Sequence, residues 1–313
     1  MLEYEPFIDT MNYNTPYAYF KYVLMFPIVL LRMSLLGCTL CGFYCFSFIN
    51  KEKYKKTVDT LLIIISKIIL FIFGFYNVKV KNTNYIKDAL DNKAIIIFNH
   101  VSIIDTFFIW AKICLTSPLM HIKWYMYFYR LSKFVDAIPV DVDNKNASNS
   151  NKIFEFTDNN FKTNKLIAIA PEGVITNGYS LIQFRTGAFI TDKPVLPIIL
   201  KFPNKYINVS WSQNYSTFFV VYNMFSQLYN NAVIEVLPLQ YKNPGETARE
   251  FADRVRDVMS DASGLSKSNV YGYDVNNAME LYYIINKANK MSKISKANIS
   301  NKNKAKYFYS KDD

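Results

Sequence analysis

Glycine and histidine are scarce in this 313-residue chain, which has nine of the first and two of the second. The glycines form no G-x-G-x-x-G or G-x4-G-K loop, the usual backbone cradles for phosphate. No G-x-S-x-G elbow is present, which argues against a serine hydrolase. Cysteine is also sparse, at four residues. No pair of them has zinc-ligand spacing near a histidine, and a disulfide framework does not suit a chain of this size. Cys38, Cys41 and Cys45 fall at helical spacing in an apolar stretch, and Cys114 lies on a predicted helix; all four read as thiols buried in a reducing or lipid setting. Charged residues make up 19% of the chain, low for a soluble enzyme, while 51% is hydrophobic and 17% aromatic.

What replaces the missing charge is apolar and concentrated near the start. One stretch runs from Val23 to Ile49, interrupted by Pro27, Arg32, Gly37 and Gly42, and is long enough to cross a bilayer with tilt. A second, Leu61 to Tyr76, carries Lys67 near its middle. Its helix would be roughly 24 Å long at 1.5 Å per residue, short of the ~30 Å hydrocarbon thickness. A hairpin dipping into one leaflet fits both stretches, with two buried core helices as the alternative. No basic segment precedes the first stretch and no small-residue cleavage site follows it, so it does not read as a cleaved signal peptide.

The net charge of +11 is uneven. From Lys287 onward eight lysines face two aspartates, and Lys51-Glu52-Lys53-Tyr54-Lys55-Lys56 separates the two apolar stretches. Basic segments beside hydrophobic ones favour an anionic lipid surface. No nucleic-acid motif accompanies them. The Asn- and Ser-rich tail reads equally well as a solvated extension. The chain divides into membrane-anchoring helices over 1–76, one catalytic domain over 77–275 and a basic tail over 276–313.

The chemistry centres on Asn99-His100-Val101-Ser102-Ile103-Ile104-Asp105. The preceding run Ala94–Phe98 predicts a buried strand, and Ile103 to Ile113 a helix, so His100 falls in the turn between them. Five residues along a regular helix would separate the two side chains by about 140°. A histidine placed before the helix lets Asp105 reach back to the imidazole, and an acid that orients a histidine makes a general base. Ser102 and Asp105 also fit a capping box, so a purely structural pair is the competing reading. Further on, the strand Leu166–Ala170 delivers Pro171-Glu172-Gly173. Phe184-Arg185-Thr186-Gly187-Ala188-Phe189 and the strand Val195–Leu200 follow.

An N-H-x4-D turn, a P-E-G loop, an F-x-x-G-A-F segment and a V-x-P strand, in that order, resemble the glycerolipid acyltransferase family. Thr176-Asn177-Gly178, Lys201-Phe202-Pro203-Asn204, Val236-Leu237-Pro238-Leu239 and the segment Phe251 to Asp274 are similar to its lysophosphatidylcholine acyltransferase branch. The resemblance spans about Leu61 to Asp274. It implies an α/β fold: a twisted, largely parallel sheet flanked by helices, preceded by a membrane-embedded helical pair. It implies an O-acyltransferase with acyl-CoA as co-substrate, a lysophospholipid as acceptor and no cofactor, at a membrane such as the endoplasmic reticulum with a cytosolic site. His100 would be the base and Asp105 its orienting acid, while Asn99, Glu172, Gly173, Thr176, Arg185 and Gly187 would bind substrate. Amides near Gly173 or in the first turn of the following helix would stabilise the oxyanion.

One departure bears on the acceptor. Many relatives that acylate lysophosphatidic acid carry an Arg where Ala137–Val142 places Asp141. Arg185 is the substitute cation, and the change favours a zwitterionic lysophospholipid. Phosphatidic acid synthesis, an acyl-CoA or phospholipid hydrolase and a non-catalytic membrane scaffold are the alternatives. A metal site on His100, Asp105 and His121 lacks supporting carboxylates. A calcium loop from Asp141 fails at Asn146 and Lys152. Four N-x-S matches, at Asn146, Asn208, Asn214 and Asn298, are expected by chance in so Asn-rich a chain. Strands are predicted around Val78, Ile96, Ile138, Ile167, Ile198 and Ile234. Helices are predicted over Ile103–Ile113, Asn151–Phe161 and Thr247–Met259.

Overall fold

The structure, a computed structural model, describes residues 3–141, 165–203 and 207–288. The predicted helix Asn151–Phe161, the rejected calcium loop beyond Asp141, two of the N-x-S matches and most of the basic tail lie outside them.

Two long helices come first, α1 (Pro16–Phe46) and α2 (Lys55–Ile72). Then follow β1 (Val78–Lys81), α3 (Asn84–Asp91), β2 (Ile95–Phe98), α4 (Asp105–Lys112), β3 (Thr116–His121), α5 (Ile122–Tyr127), α6 (Tyr129–Phe134) and β4 (Ile138–Val140). The second half supplies β5 (Leu166–Ile169), β6 (Ser180–Gln183), β7 (Val195–Lys201), α7 (Thr217–Phe225), β8 (Ala232–Val236), α8 (Ala248–Ser263) and β9 (Ser266–Tyr271). Residues 275–288 are helical. Seven strands form one sheet in the order β1-β8-β7-β2-β5-β3-β4, and β6 pairs with β9 beside it. Every pairing in the large sheet is parallel except β7 with β8.

All six predicted strands are present. The three central ones, β2, β5 and β7, are buried on both faces, as continuous apolar runs in a covered parallel sheet should be. Their period of two sorts side chains into separate cores. Ile96, Phe98, Ala168, Leu196 and Ile198 join α2, α4 and α7 on one face. Ile95, Ile97, Ile167, Ile169, Val195 and Ile199 meet Phe251, Val255 and Met259 of α8 on the other. The sheet also contains β3, which the sequence does not announce: Thr116-Ser117-Pro118 is short of β-formers, yet it pairs with β5.

Of the expected membrane pair, only α1 is long and apolar enough to cross a bilayer. Its outer face exposes Phe20, Val23, Leu24, Leu31 and Leu40, and Cys38, Cys41 and Cys45 lie exposed on it rather than buried. Arg32, midway along, faces inward with Val29 and Phe43. It is 6% exposed and donates to the carbonyls of Phe225, Gln227 and Leu228 and to the Tyr76 hydroxyl. Those carbonyls lie at the end of α7 and just beyond it, where the helix dipole presents partial negative charge. The second helix behaves differently. Val58, Leu62, Ile65, Ile69, Leu70 and Ile72 are buried in the main core. Burying such a side chain contributes roughly 1.5–3 kcal/mol, so six of them bind α2 to the sheet as a core helix. Its reverse side still exposes Ile64, Ile68 and Phe71. The core therefore runs across the expected division at residue 76.

Candidate active site

The site begins where β2 ends. Asn99 is buried, and its amide bridges to β7, donating from Nδ2 to the Leu200 carbonyl at 3.0 Å and accepting the Leu200 N–H at 2.7 Å. That bridge fixes the chain direction as it leaves the strand. His100 follows, with 29% of its side chain exposed.

Asp105 reaches back from the first residue of α4, fully enclosed at 1% side-chain exposure. Its Oδ2 lies 2.9 Å from His100 Nδ1 and accepts the N–H groups of Val101 at 2.8 Å and Ser102 at 2.9 Å. Burial raises the Asp105 pKa above the usual carboxylate value, with the three donors and the His100 charge opposing that rise. An ionised Asp105 accepting from Nδ1–H leaves Nε2 as the basic nitrogen of the imidazole. The helix starts later than a Ser102 cap would require: Ile104 is the capping position and makes no side-chain cap bond. The turn over residues 102–105, closed by Asp105 N–H on the Ser102 carbonyl, takes up those two residues.

The backbone of His100 is held from both sides. Its N–H donates to Glu172 Oε2 at 2.7 Å, and its carbonyl accepts from Thr176 N–H at 2.8 Å. Glu172 is wholly buried and its Oε1 accepts the Ile182 N–H at 3.2 Å. Both Glu172 oxygens are thus engaged with the backbone. Burial pushes its pKa up to about 8, helped by the Asp105 charge and opposed by its two N–H partners and Arg256.

Gly173 turns the P-E-G loop with φ +69°. A Cβ there would meet the Arg185 side chain at 2.5 Å, so the glycine is what lets the guanidinium stem cross the loop. Arg185 extends over this loop to within 5.9 Å of the Tyr273 ring centroid, and Gly187 follows it in a short 3₁₀ turn, Thr186–Ala188. Of the amides expected to stabilise an oxyanion, Gly173 N–H donates to the Ala170 carbonyl, and in the first turn of α4 Asp105 and Phe107 N–H donate to the Ser102 and Ile104 carbonyls.

The P-E-G loop and the N-H-x4-D turn are thus one assembly. His121 stands apart from it, its Nδ1 accepting the Lys123 N–H at the start of α5. Among the described residues no group of three or more His, Cys, Asp or Glu side chains is placed to hold a metal. Sequence reasoning missed two participants. Arg256 is buried and donates to the carbonyls of Leu181 and Ser268 behind Glu172. Asn177 holds the segment before α1 against the Thr176 loop; only its place after P-E-G in the sequence hinted at a role.

Residues 77–201 match the family model described as Acyltransferase. The chain belongs to the glycerolipid acyltransferase family. It is 31% identical over 228 residues to human lysophosphatidylcholine acyltransferase 1, covering 68% of this chain and 40% of that protein. It is 26% identical over 277 residues to the lysophospholipid acyltransferase LPEAT2 of Arabidopsis thaliana, covering 83% and 50%. This family member therefore spans half or less of the curated relatives' length. Its fold matches the 1-acyl-sn-glycerophosphate acyltransferase PlsC of Thermotoga maritima with a TM-score of 0.53 at 14% identity, covering 78% of this chain and 97% of that one.

Proposed function

We propose that this protein is an acyl-CoA-dependent O-acyltransferase that esterifies the free hydroxyl of a lysophospholipid. The observation that carries the reading is the His100–Asp105 contact in a turn whose backbone is pinned on every side. In the proposed reaction His100 Nε2 takes the glycerol hydroxyl proton as that oxygen attacks the thioester carbonyl. Asp105 holds the imidazolium that forms. When the tetrahedral intermediate collapses, the C–S bond breaks, the proton passes to the departing sulfur, and an ester and free CoA thiol remain.

A lysophosphatidylcholine-like acceptor is favoured by the names of the relatives and by Asp141 standing just after β4, where an arginine would serve a more anionic acceptor. Arg185 is the cation offered to the acceptor phosphate, through a planar fork suited to bidentate contact. Phosphatidic acid synthesis is the second reading, because the solved protein of matching fold is named as a 1-acyl-sn-glycerophosphate acyltransferase.

Membrane attachment belongs to the same proposal. Tyr22 bonds to Asn223 near the start of α1, Arg32 to the end of α7 midway, and Phe43 packs on Phe134 near its end. A helix held against the domain along its length suits lying in the bilayer plane better than crossing with the domain outside. The cytosolic face of the endoplasmic reticulum is the proposed location, since acyl-CoA is held in the cytosol.

The test is purified protein in detergent with labelled oleoyl-CoA and a panel of lysolipids. Label appearing in phospholipid, most rapidly with a choline headgroup, supports the reading. Undiminished release of free acid without acceptor would make the protein a hydrolase, and no turnover would leave a scaffold.

A further inference from the structure

The segment before α1 is built into the catalytic turn. Residues 5–9 run across the loop that follows P-E-G. Asn177 N–H donates to the Pro6 carbonyl at 2.7 Å, and Asn177 Nδ2 donates to the carbonyls of Glu5 at 2.6 Å and Ile8 at 2.8 Å. Asn177 is 3% exposed and is the neighbour of Thr176, whose N–H holds the His100 carbonyl. A second path runs beside the first. Gln213 N–H donates to the Phe7 carbonyl, and two residues earlier Trp211 N–H donates to the Val101 carbonyl, next to His100. Asn214 pairs in both directions with the Asp9 backbone, and Tyr13 joins the Asp9 carboxylate to the Asn208 N–H. Phe7, wholly buried, anchors the strap in a core of its own with Ile8, Ile182, Ala278 and Met279. The strap leads directly into α1, whose cap is Thr15.

Three donations from one buried asparagine meet the strap carbonyls of Glu5, Pro6 and Ile8, and the Phe7 carbonyl between them takes a fourth from Gln213. We propose that Asn177 is a positioning residue for His100, and that the strap of residues 5–9 acts through it to set the imidazole. The inference rests on the acyl-transfer reading for its kinetic consequence but not for its structural one. Loss of the strap contact frees the Thr176 loop, lets the His100 carbonyl move, and misplaces Nε2 relative to the attacking hydroxyl. Displacements on the 1 Å scale in a catalytic group cost up to about a hundredfold in rate.

The test compares Asn177→Ala, Phe7→Ala and the double variant with Val255→Ala. Val255, on the buried face of α8, belongs to the other core and supplies a destabilised control. Each is made in the full chain in detergent. Positioning predicts that Asn177→Ala and Phe7→Ala each lower kcat at least about tenfold with KM for the lysolipid little changed. The double variant should fall no further than the worse single one, because both break one linkage. The control, at a comparable loss of thermal midpoint, should keep its kcat. An activity-independent readout is the ring resonance of His100 in ¹³C-histidine-labelled protein, assigned with His121→Gln since the chain has two histidines. It should shift in both strap variants and stay in place in the control. An unmoved His100 resonance in Asn177→Ala would overturn the proposal, as would a kcat loss matched by the control. If the wild type transfers no acyl group, the functional reading fails, and the resonance alone then decides whether the strap positions His100.

Discussion

At the scale of single residues, the site is organised around one backbone. His100 is given its orientation by Asp105 and its location by Glu172 and Thr176, none of which needs to touch substrate. Each such bond contributes about 0.5–1.5 kcal/mol net; several directed at a single residue make its placement specific. Glu172 gives this a pH signature. With its folded pKa near 8 against an ordinary 4.5, the folded state holds that proton more tightly than the unfolded one. The resulting contribution to stability is complete below about pH 4.5 and is lost as pH rises through about 8. Thermal midpoints across that range should fall less steeply for Glu172→Gln than for the wild type; equal slopes would remove Glu172 as their source. Arg185 offers a kinetic test. Arg185→Lys should raise KM for the lysolipid more than for acyl-CoA, because lysine lacks the planar fork. Equal rises would assign Arg185 to bracing the P-E-G loop.

At the scale of elements, the sequence revealed what burial writes into it and hid what pairing does. Ala94–Phe98, Leu166–Ala170 and Val195–Leu200 are legible because strands covered on both faces must be apolar throughout. β3, β6 and β9 are not: Thr116-Ser117-Pro118 and Ser266–Tyr271 are polar segments recruited by neighbouring backbones. The His100–Asp105 contact was legible from spacing. The clamps on it were not, since Glu172 and Asn177 lie more than seventy residues away and use backbone partners. Asn208 and Asn214 matched a glycosylation pattern, yet both bond within the protein. Likewise, α2 resembled a membrane helix because its exposed reverse side is also apolar. Arg32 is the polar centre of the seam between α1 and α7. Arg32→Leu leaves the carbonyls at the end of α7 without their cation, at roughly 1.5–3 kcal/mol per hydrogen bond to a charged group. A lowered thermal midpoint in detergent is expected; an unchanged one would mean that the seam is held by apolar packing alone.

At the scale of the whole molecule, apolar exposure continues past α1. Trp124, Met126 and Tyr127 of α5 are exposed, with Phe128 and Tyr129 beside them. The Arg130 guanidinium lies 4.0 Å from the centroid of the exposed Phe48 ring, joining this aromatic group to the end of the α1 segment. Aromatic residues favour the bilayer interface. Trp110 is buried and Trp211 partly so, which leaves Trp124 as the exposed tryptophan within reach of a quencher in lipid. Brominated phosphatidylcholine vesicles should quench the wild type strongly and Trp124→Phe weakly. Equal quenching of the two would take α5 away from the membrane.

The central claim, that His100 held by Asp105 performs acyl transfer, is tested most directly by initial rates with labelled oleoyl-CoA and lysophosphatidylcholine for wild type and His100→Ala. General-base catalysis contributes about 10²–10⁴-fold, so the variant should keep no more than about a hundredth of the wild-type rate while unfolding at a similar temperature. A stable, folded His100→Ala protein that transfers the acyl group at near wild-type rate would exclude His100 as the general base.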